Sequence, residues 1–187
     1  MPSIIGHTIA SVGLGKLFSQ EKQDLRFWLL AAYCSLIPDG DVILFYFKVP
    51  YGHMFGHRGF SHSILFAVIL GFMVTFLFFR DVPRMSPRWW RYVAFFSIVT
   101  LSHGIFDAMT YGGYGVGFFV PLSGQRYFLP WRPIEVAPIG GLTRFFSAEG
   151  WPVIRSEFVW IGLPVICLVL AKYLIERSRK KSIGVEA

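Results

Sequence analysis

Histidines and aspartates stand at helix and turn spacings inside apolar stretches of this 187-residue chain. In "HGIFD", His103 and Asp107 are four residues apart, so on a helix both side chains project from one face and can reach one metal ion. In "PDGD", Asp39 and Asp41 are two residues apart at a backbone break made by the neighbouring proline and glycine. Mixed imidazole and carboxylate ligands suit Zn²⁺, Mn²⁺ or Fe²⁺ better than Ca²⁺.

The segment "HRGFSHS" places further polar groups directly before an apolar run. Arg58 has a planar guanidinium that can bind a phosphate or carboxylate through two parallel hydrogen bonds. Ser61 is predicted to cap the helix that follows. The predicted metal ligands of the whole chain are His7, Asp39, Asp41, His57, His62, His103 and Asp107.

Each of these residues also has an ordinary structural interpretation. A histidine and an aspartate four residues apart often form only a hydrogen bond, "PDGD" also fits a turn with a helix cap, and Arg58 could contact lipid headgroups. Ionisable groups inside membrane segments are costly and need a partner, however. Seven of them at one depth therefore favour a shared site.

The composition is that of an integral membrane protein. Hydrophobic residues make up 54% of the chain and charged residues only 16%, and a soluble fold of this size would expose more apolar surface than it can cover. The net charge of +7 comes from basic residues that flank apolar segments, so no nucleic-acid partner is expected. Cys34 and Cys167 lack a CxxC spacing and are predicted to be inert core residues.

Five apolar stretches are predicted to be membrane-embedded helices, although several are shorter than the about 20 residues of a straight spanning helix. They cover residues 3–18, 27–47, 64–79, 92–107 and 158–175. We therefore predict an all-α membrane protein, a bundle of about five helices. Its single domain covers residues 1–176, with an irregular outer-face cap at residues 108–157 and a basic cytoplasmic tail at residues 177–187.

Three basic clusters predict the orientation of this bundle. They lie between the first two segments, between the third and fourth, and after the fifth, so alternating topology puts all of them on one face, which is predicted to be cytoplasmic. The same topology brings the histidines and aspartates to one depth near the opposite, periplasmic face. Because the topology rests only on apolar runs and basic loops, this coincidence independently supports a single site.

The order of the motifs resembles that of the bacterial YdjM-like inner-membrane proteins, which are described as metal-dependent hydrolases and, in some members, as LexA-regulated. The resemblance rests on His7, "LIPDGD", "GHRGFSHS" and "LSHGIFDAMTYGG", and covers most of residues 1–113. It implies a divalent, zinc-like metal and hydrolysis, without a defined substrate. The ligand types are also similar, more distantly, to those of zinc-dependent phospholipase C, which favours a phosphoester.

We therefore expect a multi-pass hydrolase of the bacterial inner membrane that uses a metal-activated water. Asp41 is the expected proton acceptor, His57 lies among the ligands or directly behind them, and Arg58 is expected to hold the substrate anion and stabilise charge in the transition state. The depth of the site favours a lipid-like or lipid-linked phosphoester, with membrane lipids as partners.

Two other classes of protein fit the same residues. Intramembrane histidines and aspartates also form ion pathways, so an ion- or metal-handling transporter is one alternative. That alternative predicts polar residues through the whole depth of the bundle, whereas the cytoplasmic halves of the third and fifth segments are apolar. A non-catalytic membrane scaffold with a buried polar cluster is the other.

Overall fold

Helices form the regular structure of the computed structural model, which describes residues 1–19, 22–138 and 141–182. They are α1 (Ile4–Phe18), α2 (Leu25–Leu36), α3 (Ile64–Phe78), α4 (Pro87–Ala108), α5 (Gly141–Phe145), α6 (Trp151–Glu157) and α7 (Leu163–Ser182). One 3-10 segment, Ile37–Phe45, extends α2, another, Phe60–His62, precedes α3, and a π-helical turn, Phe158–Gly162, joins α6 to α7. In these ranges β-structure is limited to two isolated bridges, Thr110 with Ile134 and Val116 with Tyr127.

The all-α prediction is confirmed, and the differences lie at segment ends. The last helical unit begins at Trp151 rather than at residue 158, so the irregular cap is shorter than predicted. Helix α7 continues to Ser182, so residues 177–182 of the predicted tail are helical, while residues 183–187 lie outside the described part. Cys34 is buried as expected, but Cys167 is exposed on α7, so its prediction as a core residue was wrong.

Two helical segments are long and apolar enough to cross a membrane. They are Leu25–Phe45, with 21 residues, and Trp151–Arg179, with 29. Helices α1 and α3 are apolar but have 15 residues each, which gives a length of about 22 Å against a hydrocarbon core of about 30 Å. The membrane bundle of five helices stays a prediction.

Helix α4 is the central element and packs against α1, α2 and α3. Phe27 of α2 is fully buried against it, with its ring centroid 4.6 Å from that of Phe95. Helix α3 approaches closely at Gly71, where a β-carbon would lie 2.7 Å from the main-chain nitrogen of Ser97. This contact holds the middle of α3 close to the middle of α4.

Serine and aspartate caps set where the helices begin. Ser63, not Ser61, caps α3, with its Oγ accepting from the main-chain N–H of Phe66 at 3.1 Å. The prediction for Ser61 was therefore wrong, and its hydroxyl donates to Asp41 instead. Ser3 caps α1 and also donates to Glu157, through its main-chain N–H and, at 2.7 Å, through its Oγ. The first helix is thereby tied to α6.

Candidate metal centre

Four side chains, three of them buried, converge beside the end of α4. They are Asp39, His62, His103 and Asp107, and we refer to them as the candidate metal centre. The last two turns of α4 contribute His103 and Asp107, while Asp39 lies on the 3-10 extension of α2 and His62 ends the 3-10 turn before α3. The side chain of Asp39 is 19% exposed and the other three are closed to solvent, so the centre opens past Asp39.

The separations between ligand atoms match those of ligands on one metal ion. His62 Nε2 lies 3.2 Å from His103 Nε2 and 3.4 Å from Asp107 Oδ2, and Asp39 Oδ1 lies 3.3 Å from His103 Nε2 and 3.6 Å from His62 Nε2. Two atoms that each lie about 2.0–2.1 Å from a tetrahedral ion are about 3.3 Å apart. The four side chains could therefore hold one divalent cation.

Polar atoms without partners identify the same place. Asp39 Oδ1 and both carboxylate oxygens of Asp107 are buried without a hydrogen bond. Arg58 Nε lies 3.0 Å from Asp107 Oδ2, but this is an ion pair without hydrogen-bond alignment, because that Nε also lacks a hydrogen-bond partner. Buried oxygens normally have a partner, and a cation would provide one. The residues present thus fit a divalent metal, whose identity as Zn²⁺ stays a prediction.

Asp41 faces a different set of groups from Asp39. Its Oδ1 lies 2.6 Å from His57 Nδ1, and its Oδ2 accepts from the main-chain N–H of Arg58 at 3.1 Å and from Ser61 Oγ at 2.5 Å. Asp41 Oδ2 also lies 3.3 Å from His62 Nδ1. A carboxylate in this position orients imidazoles and fixes their tautomers. Its predicted roles as ligand and proton acceptor stay predictions.

His57 lies beside His62 but outside the four residues of the candidate metal centre. Its ring stands edge-on to that of His62, with centroids 5.6 Å apart, and together with Asp41 and His62 it forms a second group of possible metal ligands. Because its Nδ1 is engaged by Asp41, its Nε2 is the nitrogen left for other chemistry. We call Asp41 and His57 the outer pair.

His7, in α1, and Arg58, in the loop before α3, both lie against the candidate metal centre. The His7 ring stacks on His103 with centroids 3.9 Å apart, and its Nε2 lies 3.9 Å from Asp107 Oδ1. Arg58 is 1% exposed and has a positive φ of 64°, and its guanidinium donates to the carbonyl of Gly112 as well as pairing with Asp107. The guanidinium of Arg58 thus pairs with the carboxylate of Asp107 inside the protein. Its predicted role in holding a substrate anion stays a prediction.

Sequence reasoning missed Arg126, which fastens the loop that bears His57. Its guanidinium donates to the carbonyl of His57 at 2.8 Å, to that of Tyr51 at 2.9 Å and to that of His53 at 3.0 Å. Burial raises the pKa of the Tyr51 phenol, which therefore stays neutral at physiological pH. Arg126 is one of four arginines at residues 108–157, and its partners lie about seventy residues earlier in the chain, so no local pattern marked it.

Comparison with known proteins gives a family over nearly the whole chain. The model of the YdjM inner membrane protein family matches residues 1–179, so the similarity extends well beyond the residues 1–113 on which the resemblance was based. "Inner membrane protein YbcI" of Escherichia coli (strain K12) is 36% identical over 169 residues, which are 90% of this chain and 95% of that protein. No solved structure matches. The chain therefore belongs to the YdjM family of inner membrane proteins.

Proposed function

We propose that this protein is a membrane-embedded hydrolase that uses a divalent metal ion held by the candidate metal centre. The observation that carries the proposal is the set of four nitrogen and oxygen ligand atoms, all within 4.8 Å of one another and with each imidazole nitrogen 3.2–3.8 Å from the other three atoms. When bound, an ion with such ligands lowers the pKa of a coordinated water and polarises a phosphoryl or carbonyl oxygen.

In this proposal the outer pair moves a proton. Asp41 holds the Nδ1–H of His57, which leaves Nε2 as a base and stabilises the imidazolium that forms when it takes a proton. Asp41 already accepts from the main-chain N–H of Arg58 and from Ser61 and lies against His57 Nδ1. In this proposal His57 therefore takes the proton, rather than Asp41 as predicted from the sequence. Arg126 keeps the main chain of His57 in place.

The surroundings of the opening favour a lipid-like phosphoester as the substrate. Asp39 is the exposed edge of the centre, and the same 3-10 segment carries the exposed apolar side chains of Val42 and Ile43. A substrate that reaches Asp39 therefore passes apolar surface. On the topology predicted from the three basic clusters of the sequence, this opening faces the periplasmic side of the inner membrane.

Metal content tests the proposal first. The protein purified in detergent should hold one equivalent of divalent metal by elemental analysis, and His103→Ala should lose it. His53→Ala is the matched control, because His53 is an exposed loop histidine outside the centre and its removal should leave the metal in place. Wild-type protein without stoichiometric metal would refute the proposal.

Hydrolysis is the second test. Phospholipid and soluble phosphodiester substrates should be cleaved, cleavage should stop with a chelator, and it should return when Zn²⁺ or Mn²⁺ is added. Stoichiometric metal without turnover of either substrate class would favour the non-catalytic scaffold.

A further inference from the structure

A polar cavity of about 380 Å³ lies at the opposite end of α1 from His7. It is formed by the end of α1, the start of α2 and the middle of α7. Its lining includes Lys16, Ser19, Lys22, Trp28, Lys172 and Tyr173. Along the helix, Lys16 is about 14 Å from His7, so this cavity is separate from the candidate metal centre.

Lys172 lines the cavity, and its ammonium group uses all of its donors within the protein. Its Nζ donates to the carbonyls of Lys16 at 2.8 Å, Leu17 at 3.1 Å and Ser19 at 2.5 Å. An ammonium group has three donors, so Lys172 caps the end of α1 and has no donor left. Its charge offsets the negative end of the α1 dipole, which would otherwise repel an anion from this cavity.

Lys16 and Lys22 are the cations that remain available to a ligand. Both are exposed, and Lys16 Nζ lies 5.1 Å from the centre of the Trp28 ring. One acidic residue, Glu176, also lines the cavity and lies 3.7 Å from Lys172. Among the described residues that line the cavity, three lysines accompany one glutamate, so this lining carries a net positive charge.

Aromatic and apolar residues complete the lining. Tyr173 is exposed and Trp28 is half-buried, and tryptophan and tyrosine prefer the headgroup level of a bilayer. Val169 lies one turn before Tyr173 on α7, towards the apolar first half of that helix. The cavity thus offers cations, interfacial aromatics and an apolar wall in that order.

We propose that this cavity binds the phosphodiester headgroup of an anionic phospholipid. Lys16 and Lys22 contact the phosphate oxygens, Trp28 and Tyr173 lie at the level of the glycerol, and the acyl chains leave past Val169. Basic pockets between membrane helices bind anionic headgroups by this chemistry. The inference does not depend on the proposed hydrolase, because it shares no residue with the candidate metal centre.

Lipid binding by the full-length protein in neutral detergent tests the proposal. Native mass spectrometry would follow binding of phosphatidylglycerol, phosphatidylcholine and inorganic phosphate at low salt. We expect preference for phosphatidylglycerol, and about thirty-fold weaker binding in Lys16→Gln/Lys22→Gln, equivalent to about 1 kcal/mol per lysine. The matched control is Arg80→Gln/Arg84→Gln, which removes two exposed cations at the same end of the bundle but outside the cavity.

Three results would overturn the proposal. Equal binding of phosphatidylcholine would remove the need for an anionic headgroup, and equal binding of inorganic phosphate would make the cavity a phosphate site rather than a lipid site. Equal weakening in both double variants would assign the effect to the general surface potential. An unchanged thermal midpoint of Lys16→Gln/Lys22→Gln would show that any loss of binding is not a loss of fold.

Discussion

Asp107 and Arg58 form a buried ion pair, and removal of either partner should lower the stability, whereas only removal of Asp107 should abolish metal binding. Asp107 Oδ2 lies 3.0 Å from Arg58 Nε, and both side chains are closed to solvent. At an effective dielectric of about 20, a pair at this distance attracts with about 5.5 kcal/mol. Breaking a buried pair by removing one partner typically destabilises a protein by about 3–5 kcal/mol, because the other charge is left alone.

We therefore expect Asp107→Asn to lower the thermal midpoint by about 6–20 °C, at about 2–4 °C per kcal/mol for a chain of this length. The thermal midpoint should be measured in detergent with a chelator, so that loss of bound metal does not contribute to its shift. Arg58→Met should give a drop of similar size, whereas the double variant should recover most of the stability, since neither charge is then unpaired.

Metal content separates the two residues. Asp107→Asn and the double variant should both lose the metal, whereas Arg58→Met should keep it with about 10–100-fold lower affinity, because Arg58 supports a ligand without being one. An unchanged midpoint in Asp107→Asn would refute the ion-pair reasoning. Wild-type metal content in that variant would remove Asp107 from the centre.

Three further perturbations follow from the contacts described. His57→Ala should keep the metal and slow hydrolysis by about 10²–10⁴-fold, as for loss of a general base, whereas loss of metal would make His57 a ligand. Gly71→Ala should cost about 1–3 kcal/mol in thermal unfolding, because its β-carbon would lie 2.7 Å from the Ser97 main chain, while Gly124→Ala, in open space, should change nothing; equal effects would contradict this packing. Arg126→Ala should make the loop at residues 51–57 more sensitive to limited proteolysis, since three carbonyls lose their donor, and an unchanged cleavage rate would mean that other contacts hold the loop.

The helices were predictable from the sequence because long apolar runs leave few alternatives for a chain in lipid. The convergence of His103 and Asp107 with Asp39 and His62 was also predictable, since topology alone brings their segments to one level. The separate surroundings of Asp39 and Asp41 were not. On a 3-10 helix of about three residues per turn, positions two apart point about 240° apart. Asp39 therefore faces the centre while Asp41 faces His57, and the sequence "PDGD" alone does not distinguish this segment from a turn.

The conformation of Arg58 could not be predicted from the sequence either. A non-glycine residue with positive φ persists only where its surroundings hold it. Here the main-chain N–H of Arg58 donates to Asp41, its carbonyl accepts from the N–H of Gly117 at 2.8 Å, and its side chain reaches Asp107. These partners come from three distant parts of the chain, so no local pattern around residue 58 could predict the direction of the guanidinium.

The first and last helices are joined by bonds between residues far apart in the sequence. Ser3 bonds to Glu157, 154 residues later, and the carbonyl of Lys16 accepts from Lys172, 156 residues later. During synthesis a ribosome therefore completes α2, α3 and α4 before Glu157 and Lys172 exist. Helix α1 can pack on α2 and α4, and His7 on His103, before then, but the bonds at the two ends of α1 form only once α6 and α7 have been made. A chain truncated before Glu157 should therefore contain the four metal ligands and yet lack both of these bonds.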